Sequence, residues 1–280
     1  MNSDHEPQPR KGLKWSGRTD RGKDRPNNED TFLGLQFDAR EVHHLGAKGD
    51  SATGPMDFAF AVSDGMGGAK AGEHASQVAI QKVVTLLPHL YRQSTTHPEA
   101  GFAPLLERLF AEVHRALAHL GGSYEECHGM EATLSLCWFS SEKMHFGHIG
   151  DSRIYHVPFH GGGITQLTQD DTHVGWLLRN GKINEREARS HPRRNLLQKA
   201  LGGTNQFVTP QVGSVAYERG DIFLLCTDGL VKGLHDHQLH ELLCTPDPVS
   251  GGRTPAQRLV DESLARDGGD NTTAVTIRVV

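Results

Sequence analysis

Two amphipathic stretches with helical spacing stand next to each other in this chain, over residues 73–90 and 103–120, and the strand-like runs lie before and after them rather than between. In the first, Ala75, Val78, Ala79, Val83, Leu86, Leu87 and Leu90 recur three and four apart. In the second, Leu105, Leu106, Leu109, Phe110, Val113, Ala116 and Leu117 make the same stripe, and Gly121-Gly122 is expected to end it. A parallel sheet needs a helix between successive strands. Grouped strands and a helix pair favour instead antiparallel sheets covered by helices, an α+β layered sandwich.

The strand runs are residues 31–37, read as the first strand, then 58–62, 133–139, 143–149, 152–157, 211–217, 221–226 and 273–279. The three between 133 and 157 follow so closely that they read as antiparallel hairpins. Residues 38–56 read as a loop or connector, 172–201 as a polar short-helix region suited to a flap, and 236–243 and 255–266 as helices. Residues 1–13 are polar and proline-containing, and are expected to be a disordered tail.

At 280 residues, 36% hydrophobic and 22% charged, the chain can bury a sizeable core as a globular protein. A net charge of -5 argues against nucleic-acid or membrane-surface binding, which needs a clustered positive field. No apolar run reaches the length of a membrane span, and the polar N-terminus lacks a signal peptide's apolar core. Cys127, Cys137, Cys226 and Cys244 form no CxxC pair and read as reduced packing residues. The expected location is the cytoplasm.

The run over 58–62 stops at Asp64, and a glycine-rich turn follows. Five places share this form: Asn28-Glu29-Asp30, Ser63-Asp64-Gly65, Gly150-Asp151-Ser152-Arg153, Thr227-Asp228-Gly229 and Gly269-Asp270-Asn271. Singly, each reads as an ordinary turn pair. Jointly they imply more, because Asp64 and Asp228 follow almost wholly apolar runs where a turn needs no carboxylate. If those strands are neighbours, their ends gather negative charges that repel unless protons or cations neutralise them. Oxygen-only ligands suit hard cations such as Mg²⁺ or Mn²⁺, and several carboxylates suffice to bridge two.

In order, the chain carries Arg25-Pro-Asn-Asn-Glu-Asp30, Asp64-Gly-Met-Gly-Gly68, Gly129-Met-Glu-Ala-Thr133, Gly150-Asp-Ser-Arg153, His191-Pro-Arg-Arg-Asn195, Thr227-Asp-Gly229 and Asp270-Asn-Thr-Thr273. This ordered set resembles the PPM family, the metal-dependent type-2C protein serine/threonine phosphatases, in its bacterial form, over residues 14–280. The resemblance implies a single phosphatase domain there, folded as a four-layer α-β-β-α sandwich of two antiparallel sheets flanked by helix pairs, with a flap at about 170–201. It implies Asp30, Asp64, Asp228, Asp270 and the carbonyl of Gly65 as ligands of two Mn²⁺ or Mg²⁺ ions. Glu29 would hold metal through water, Asp151 would serve a third, weaker site, and Arg25 would bind the substrate phosphate. The implied reaction is hydrolysis of phosphoserine and phosphothreonine in proteins by a metal-bridged hydroxide, with no covalent enzyme intermediate. The implied partners are phosphoproteins and a cognate Ser/Thr kinase, with the chain acting as a monomer.

Three positions depart from the family pattern: Met66 where His often stands, Glu131-Ala132 where Gly then Ser or Thr is usual, and Asp171 where His is common. Met66 cannot donate a proton, so the leaving group's proton has no named source. Glu131 could face solvent or alter the third site. Other signals carry less. The eighteen histidines show no ligand spacing with a third partner. The segment Gly65-Met-Gly-Gly-Ala-Lys-Ala-Gly72 lacks the Gly-Lys-Ser/Thr ending of a P-loop. His191-Pro-Arg-Arg-Asn195 is a small basic patch, either a solvated surface or a contact for acidic substrate. Two other readings stay open. A silent scaffold would have no physical reason to keep the costly carboxylates, and a two-metal nuclease would need a basic groove.

Overall fold

The computed structural model describes residues 11–141, 143–203, 208–247 and 252–280. Most of the expected tail, residues 1–10, lies outside them, but its end does not, because a strand begins at Gly12. In chain order the strands are β1 Gly12–Asp20, β2 Asp30–Phe37, β3 Val42–His44, β4 Lys48–Ala52, β5 Asp57–Met66, β6 Glu131–Ala132, β7 Leu134–Phe139, β8 Lys143–Ile149, β9 Arg153–Val157, β10 Thr165–Gln166, β11 Leu201–Gly202, β12 Gln211–Ala216, β13 Ile222–Cys226 and β14 Thr272–Val279. The helices are α1 Ala69–Thr96, α2 Ala103–Ser123, α3 His173–Arg179, α4 Glu185–Ser190, α5 Asp228–Gly233, α6 Asp236–Cys244 and α7 Pro255–Arg266.

One sheet runs β10-β9-β13-β14-β1-β4 and the other β11-β6-β5-β7-β8-β12, with β2 on β5 and β3 on β2. Neighbouring strands are antiparallel throughout. The central strands are buried on both faces, which explains their nearly continuous apolar sequences. Along β5, Phe58, Phe60 and Val62 enter the core between the sheets. Ala59 and Ala61 turn the other way, into the core under α1 and α2. Along β13, Phe223 and Leu225 join the inter-sheet core, while Ile222, Leu224 and Cys226 pack with α5, α6 and α7. Three cores between four layers give the α-β-β-α sandwich. Truncating Phe60, 1% exposed between the sheets, to alanine would cost about 3–5 kcal/mol.

Several boundaries differ from the sequence reading. The first strand is β1, not residues 31–37; its only large apolar residues are Leu13 and Trp15, between charged and small ones. The connector over 38–56 carries β3 and β4. Helix α1 starts at Ala69 and continues through Pro88 to Thr96, and α2 runs past Gly121-Gly122 to Ser123. The strands β7 and β8 pair as a hairpin, but β9 pairs with β13 in the opposite sheet. The chain changes sheet at Gly150, whose φ of 111° disfavours any side chain. That crossing places Asp151 at the boundary between the sheets.

Candidate metal centre

Asp30 of β2 and Asp64 of β5 are direct cross-strand partners. The strand does not stop at Asp64, because Gly65 and Met66 continue β5 by pairing with β6. The Asp30 carboxylate is buried, and its Oδ2 accepts hydrogen bonds of 2.7 Å from both Thr227 Oγ1 and Thr273 Oγ1. Those hydroxyls come from the opposite sheet, so Asp30 ties the two sheets together at this end. Its Oδ1 is buried with no partner among the described residues. Burial pushes the Asp30 carboxyl up to about 7, against the two threonine hydroxyls and helped by Asp228 and Asp270. Asp64 is also held well above the carboxylate range, by burial first and then by Asp30, Asp228, Asp151 and Asp270. Its backbone N–H donates to Thr133 Oγ1 at 2.9 Å, which fixes the strand against β6 and β7.

The other sheet supplies a second pair. Asp228 opens α5 directly after β13, and Asp270 stands just before β14; those two strands are neighbours. Lys232 lies one helical turn beyond Asp228, and i,i+4 spacing puts it on the same face. Its Nζ is 2.5 Å from Asp228 Oδ2 and 2.6 Å from Asp270 Oδ2. Arg25 Nε meets Asp270 Oδ1 at 2.8 Å. Burial works to raise Asp270, yet Lys232 and Arg25 hold it below the ordinary carboxylate range. For Asp228 burial wins over Lys232, so its carboxyl is raised, and its Oδ1 is buried without a partner among the described residues.

Asp151 sits at the sheet crossing, raised by burial and by Asp228 and Asp170 against Lys232 and Arg153. The turn before it is clamped by Asp171, whose N–H donates to Gly150 O at 2.7 Å and whose Oδ2 accepts from Gly150 N–H at 3.2 Å. Asp171 also meets Lys199 Nζ at 3.3 Å, so this departure from the family pattern anchors the base of the α3–α4 segment to the Asp151 turn. Glu29 is placed by its N–H donating to Asn271 Oδ1 at 2.8 Å. Asn271 donates in turn to Arg21 O and Asn27 O, pinning the 21–29 loop to the start of β14. Burial raises Glu29 against the pull of Arg25. Gly65 donates to Glu29 O at 3.2 Å, and a Cβ on it would collide with Gly72 O. Arg25, Glu29 and Met66 line a cleft of about 260 Å³ beside the cluster. Glu131 does not join it; its carboxylate packs against Gly203 after β11.

The aspartates singled out from sequence are therefore brought together at one end of the sandwich. They do not close on a single point. Among the described residues no three acidic, His or Cys side chains cage an ion; Asp228 and Asp270 instead share Lys232. Lys232 is the residue the sequence reading missed, and Thr227 and Thr273, though members of the quoted motifs, had no role assigned there. The i,i+4 spacing from Asp228 was the readable signal for Lys232. Three of the histidines around the hairpins are engaged elsewhere: His148 with Ser135 and Gly150 O, His156 with Asp221, and His145 stacked on Phe102.

Two helix-covered antiparallel sheets are the fold this chain shares with solved bacterial serine/threonine phosphatases. The S. agalactiae serine/threonine phosphatase structure superposes with a TM-score of 0.79 at 25% identity, covering 96% of this chain and 100% of that one. The catalytic domain of PstP, solved with two manganese ions, superposes at 0.73 with 31% identity, covering 96% and 99%. The family model described as protein phosphatase 2C matches residues 50–261, and the chain belongs to that family. Asp30 and Asp270 lie outside that span, but the Mycobacterium tuberculosis serine/threonine protein phosphatase PstP is 35% identical over 271 residues, 96% of this chain. This chain spans 45% of the length of that relative.

Proposed function

We propose that the chain is a Mn²⁺- or Mg²⁺-dependent protein serine/threonine phosphatase that reverses a Ser/Thr kinase on phosphoserine and phosphothreonine. In this reading residues 14–280, with the two β1 residues before them, form one phosphatase domain. It acts in the cytoplasm as a monomer, with no nucleic-acid or membrane partner. Among the described residues no helix is long and apolar enough to cross a membrane. The observation that carries the reading is a pair of orphaned oxygens. Asp30 Oδ1 and Asp228 Oδ1, one from each sheet, are buried without partners among the described residues, inside an all-oxygen acidic cluster. Buried unpaired carboxylate oxygens are costly unless something positive meets them, and oxygen donors fit a hard divalent ion. The residues present fit the metal.

Asp30, Asp64, Asp228, Asp270 and the Gly65 carbonyl would hold the two core ions, Glu29 would act through water, and Asp151 would serve a third. When bound, such ions supply Lewis acidity toward a phosphoryl oxygen and lower the pKa of water. The chain's own residues do the rest. Asn271 fixes the loop carrying Glu29 and Arg25, and Asp270 orients the Arg25 guanidinium. Arg25 is 48% exposed in its cleft, where a planar donor can meet phosphate oxygens and offset charge in the transition state. Met66 lines the same cleft and offers no proton, so the leaving group's proton comes from water or from another residue. The solved manganese complex of the PstP catalytic domain supports the choice of metal.

The test is hydrolysis of an aryl phosphate and a phosphothreonine peptide by the metal-stripped chain. Turnover is expected only on adding Mn²⁺ and is expected to vanish with a chelator. Undiminished turnover in the stripped protein would overturn the reading.

A further inference from the structure

We propose that Lys232 is a tethered cation that occupies the Asp228–Asp270 half of the centre and must be displaced when a metal ion enters. The chain would thereby carry its own competitor for the metal. This rests on the metal-dependent reading above, and it concerns how readily the centre loads.

Three observations lead to it. First, the ammonium stands between the two carboxylates, 2.5 Å from Asp228 Oδ2 and 2.6 Å from Asp270 Oδ2. An ammonium and a divalent cation compete for the same lone pairs, because each satisfies a carboxylate by direct contact. Second, Lys232 leaves the cluster incomplete. The Lys232 ammonium and the guanidiniums of Arg25 and Arg153, the last already paired with Asp170, face Asp30, Asp64, Asp151, Asp228 and Asp270, and two carboxylate oxygens remain buried without partners among the described residues. A monovalent group reaching from one helix cannot satisfy donors supplied by both sheets. A divalent ion has the stronger claim once it arrives. Third, the lysine has somewhere to go. Its side chain is 23% exposed and lines a cavity of about 630 Å³ between α5 and the α3–α4 segment. The cavity is also lined by the acidic Asp236, Asp267 and Glu185, beside Arg189 and Arg194. A flexible four-carbon stem can swing there without moving the backbone.

The i,i+4 placement makes the contact an intrinsic property of α5. The helix begins at Asp228, so the ligand and its competitor are set by one turn of backbone. When no ion is bound, Lys232 would limit repulsion between Asp228 and Asp270 and keep the two strand ends in register. When an ion is present, the same charge would weaken its binding, both by competition and by repulsion.

The experiment compares wild type, Lys232→Met and Lys232→Arg by calorimetric titration with Mn²⁺, and by melting with and without Mn²⁺. Lys232→Met is expected to bind Mn²⁺ at least tenfold more tightly, about 1.4 kcal/mol. It is also expected to melt lower than wild type without metal and to gain more on adding it. Lys232→Arg keeps the charge and should stay near wild-type affinity. Should Lys232→Met fail to fold without metal, Lys232→Gln, which keeps a neutral donor, is titrated in its place with the same expectation. Equal Mn²⁺ affinity in wild type and the neutral variants, or weaker binding in them, overturns the proposal and leaves the metal-dependent phosphatase intact. Mn²⁺ binding to none of the proteins overturns the metal-dependent reading itself.

Discussion

The two sheets bring equivalent carboxylate pairs to the same end of the sandwich, but they neutralise them differently. Asp30 and Asp64 meet across β2 and β5, are held by hydroxyls and backbone, and are raised by burial and mutual repulsion. Asp228 and Asp270 meet at the ends of β13 and β14, share the Lys232 ammonium, and Asp270 also has Arg25. Hydroxyls satisfy lone pairs without cancelling charge, so the first pair leans on protons or an incoming cation. The second pair carries its own cations and is lowered at Asp270. One half of the centre is preorganised by neutral donors; the other is guarded by a positive group. On the metal-dependent reading proposed above, a metal entering the first would meet little competition, and a metal entering the second would have to move a side chain.

Breaking either pair should abolish activity, but with different effects on the metal-free fold. Asp228→Asn and Asp30→Asn are each expected to lower kcat by 10³-fold or more, about 4 kcal/mol of transition-state stabilisation, with circular dichroism showing the fold retained. Asp30→Asn should raise the melting temperature of the metal-free protein, because an amide oxygen still accepts from Thr227 and Thr273 without a buried charge. Asp228→Asn should not, because it removes a partner of Lys232. Equal melting shifts for the two variants would erase the contrast.

Arg25 belongs to the cationic half yet faces the cleft. Arg25→Ala is expected to raise KM for a phosphopeptide about tenfold with a smaller change in kcat, consistent with the loss of a charge-assisted contact of about 1.5–3 kcal/mol. An unchanged KM would assign Arg25 to Asp270 alone.

A smaller effect marks the other end of β5. Asp57 is a lone carboxylate, raised to about 6 by burial against one hydrogen bond from Trp138 Nε1. Its folded value lies above its unfolded value, so its contribution is fully present below the unfolded pKa and is lost as pH rises through about 6. Asp57→Asn should flatten the fall in stability between about pH 4 and 6 by on the order of 2 kcal/mol, measured by denaturant unfolding. Mn²⁺ should leave that difference untouched, since no ion belongs at this end.

The layered architecture was legible because helix and strand periods are local, and because Phe58, Phe60 and Val62 leave little choice of environment. The aspartates were legible because each is bracketed by turn residues after or before an apolar run. What escaped depends on topology or on weak local signals. That β9 crosses sheets at Gly150, bringing Asp151 beside Asp228, cannot be read from three runs spaced like hairpins. The helix α5 went unread because it is six residues long and contains two glycines, Gly229 and Gly233, and with it went the placement of Lys232. Strand β1 was missed because only Leu13 and Trp15 mark its buried side. Asp171 stood out as a departure, but its clamp on Gly150 spans two elements and is visible only in three dimensions.

The most direct test counts bound Mn²⁺ by electron paramagnetic resonance of the free ion during titration, with phosphothreonine-peptide turnover measured in the same samples. Two carboxylate pairs sharing one centre predict that activity rises with bound Mn²⁺ to two ions per chain, and that a chelator reverses both together. Full turnover with no ion bound would contradict the shared centre.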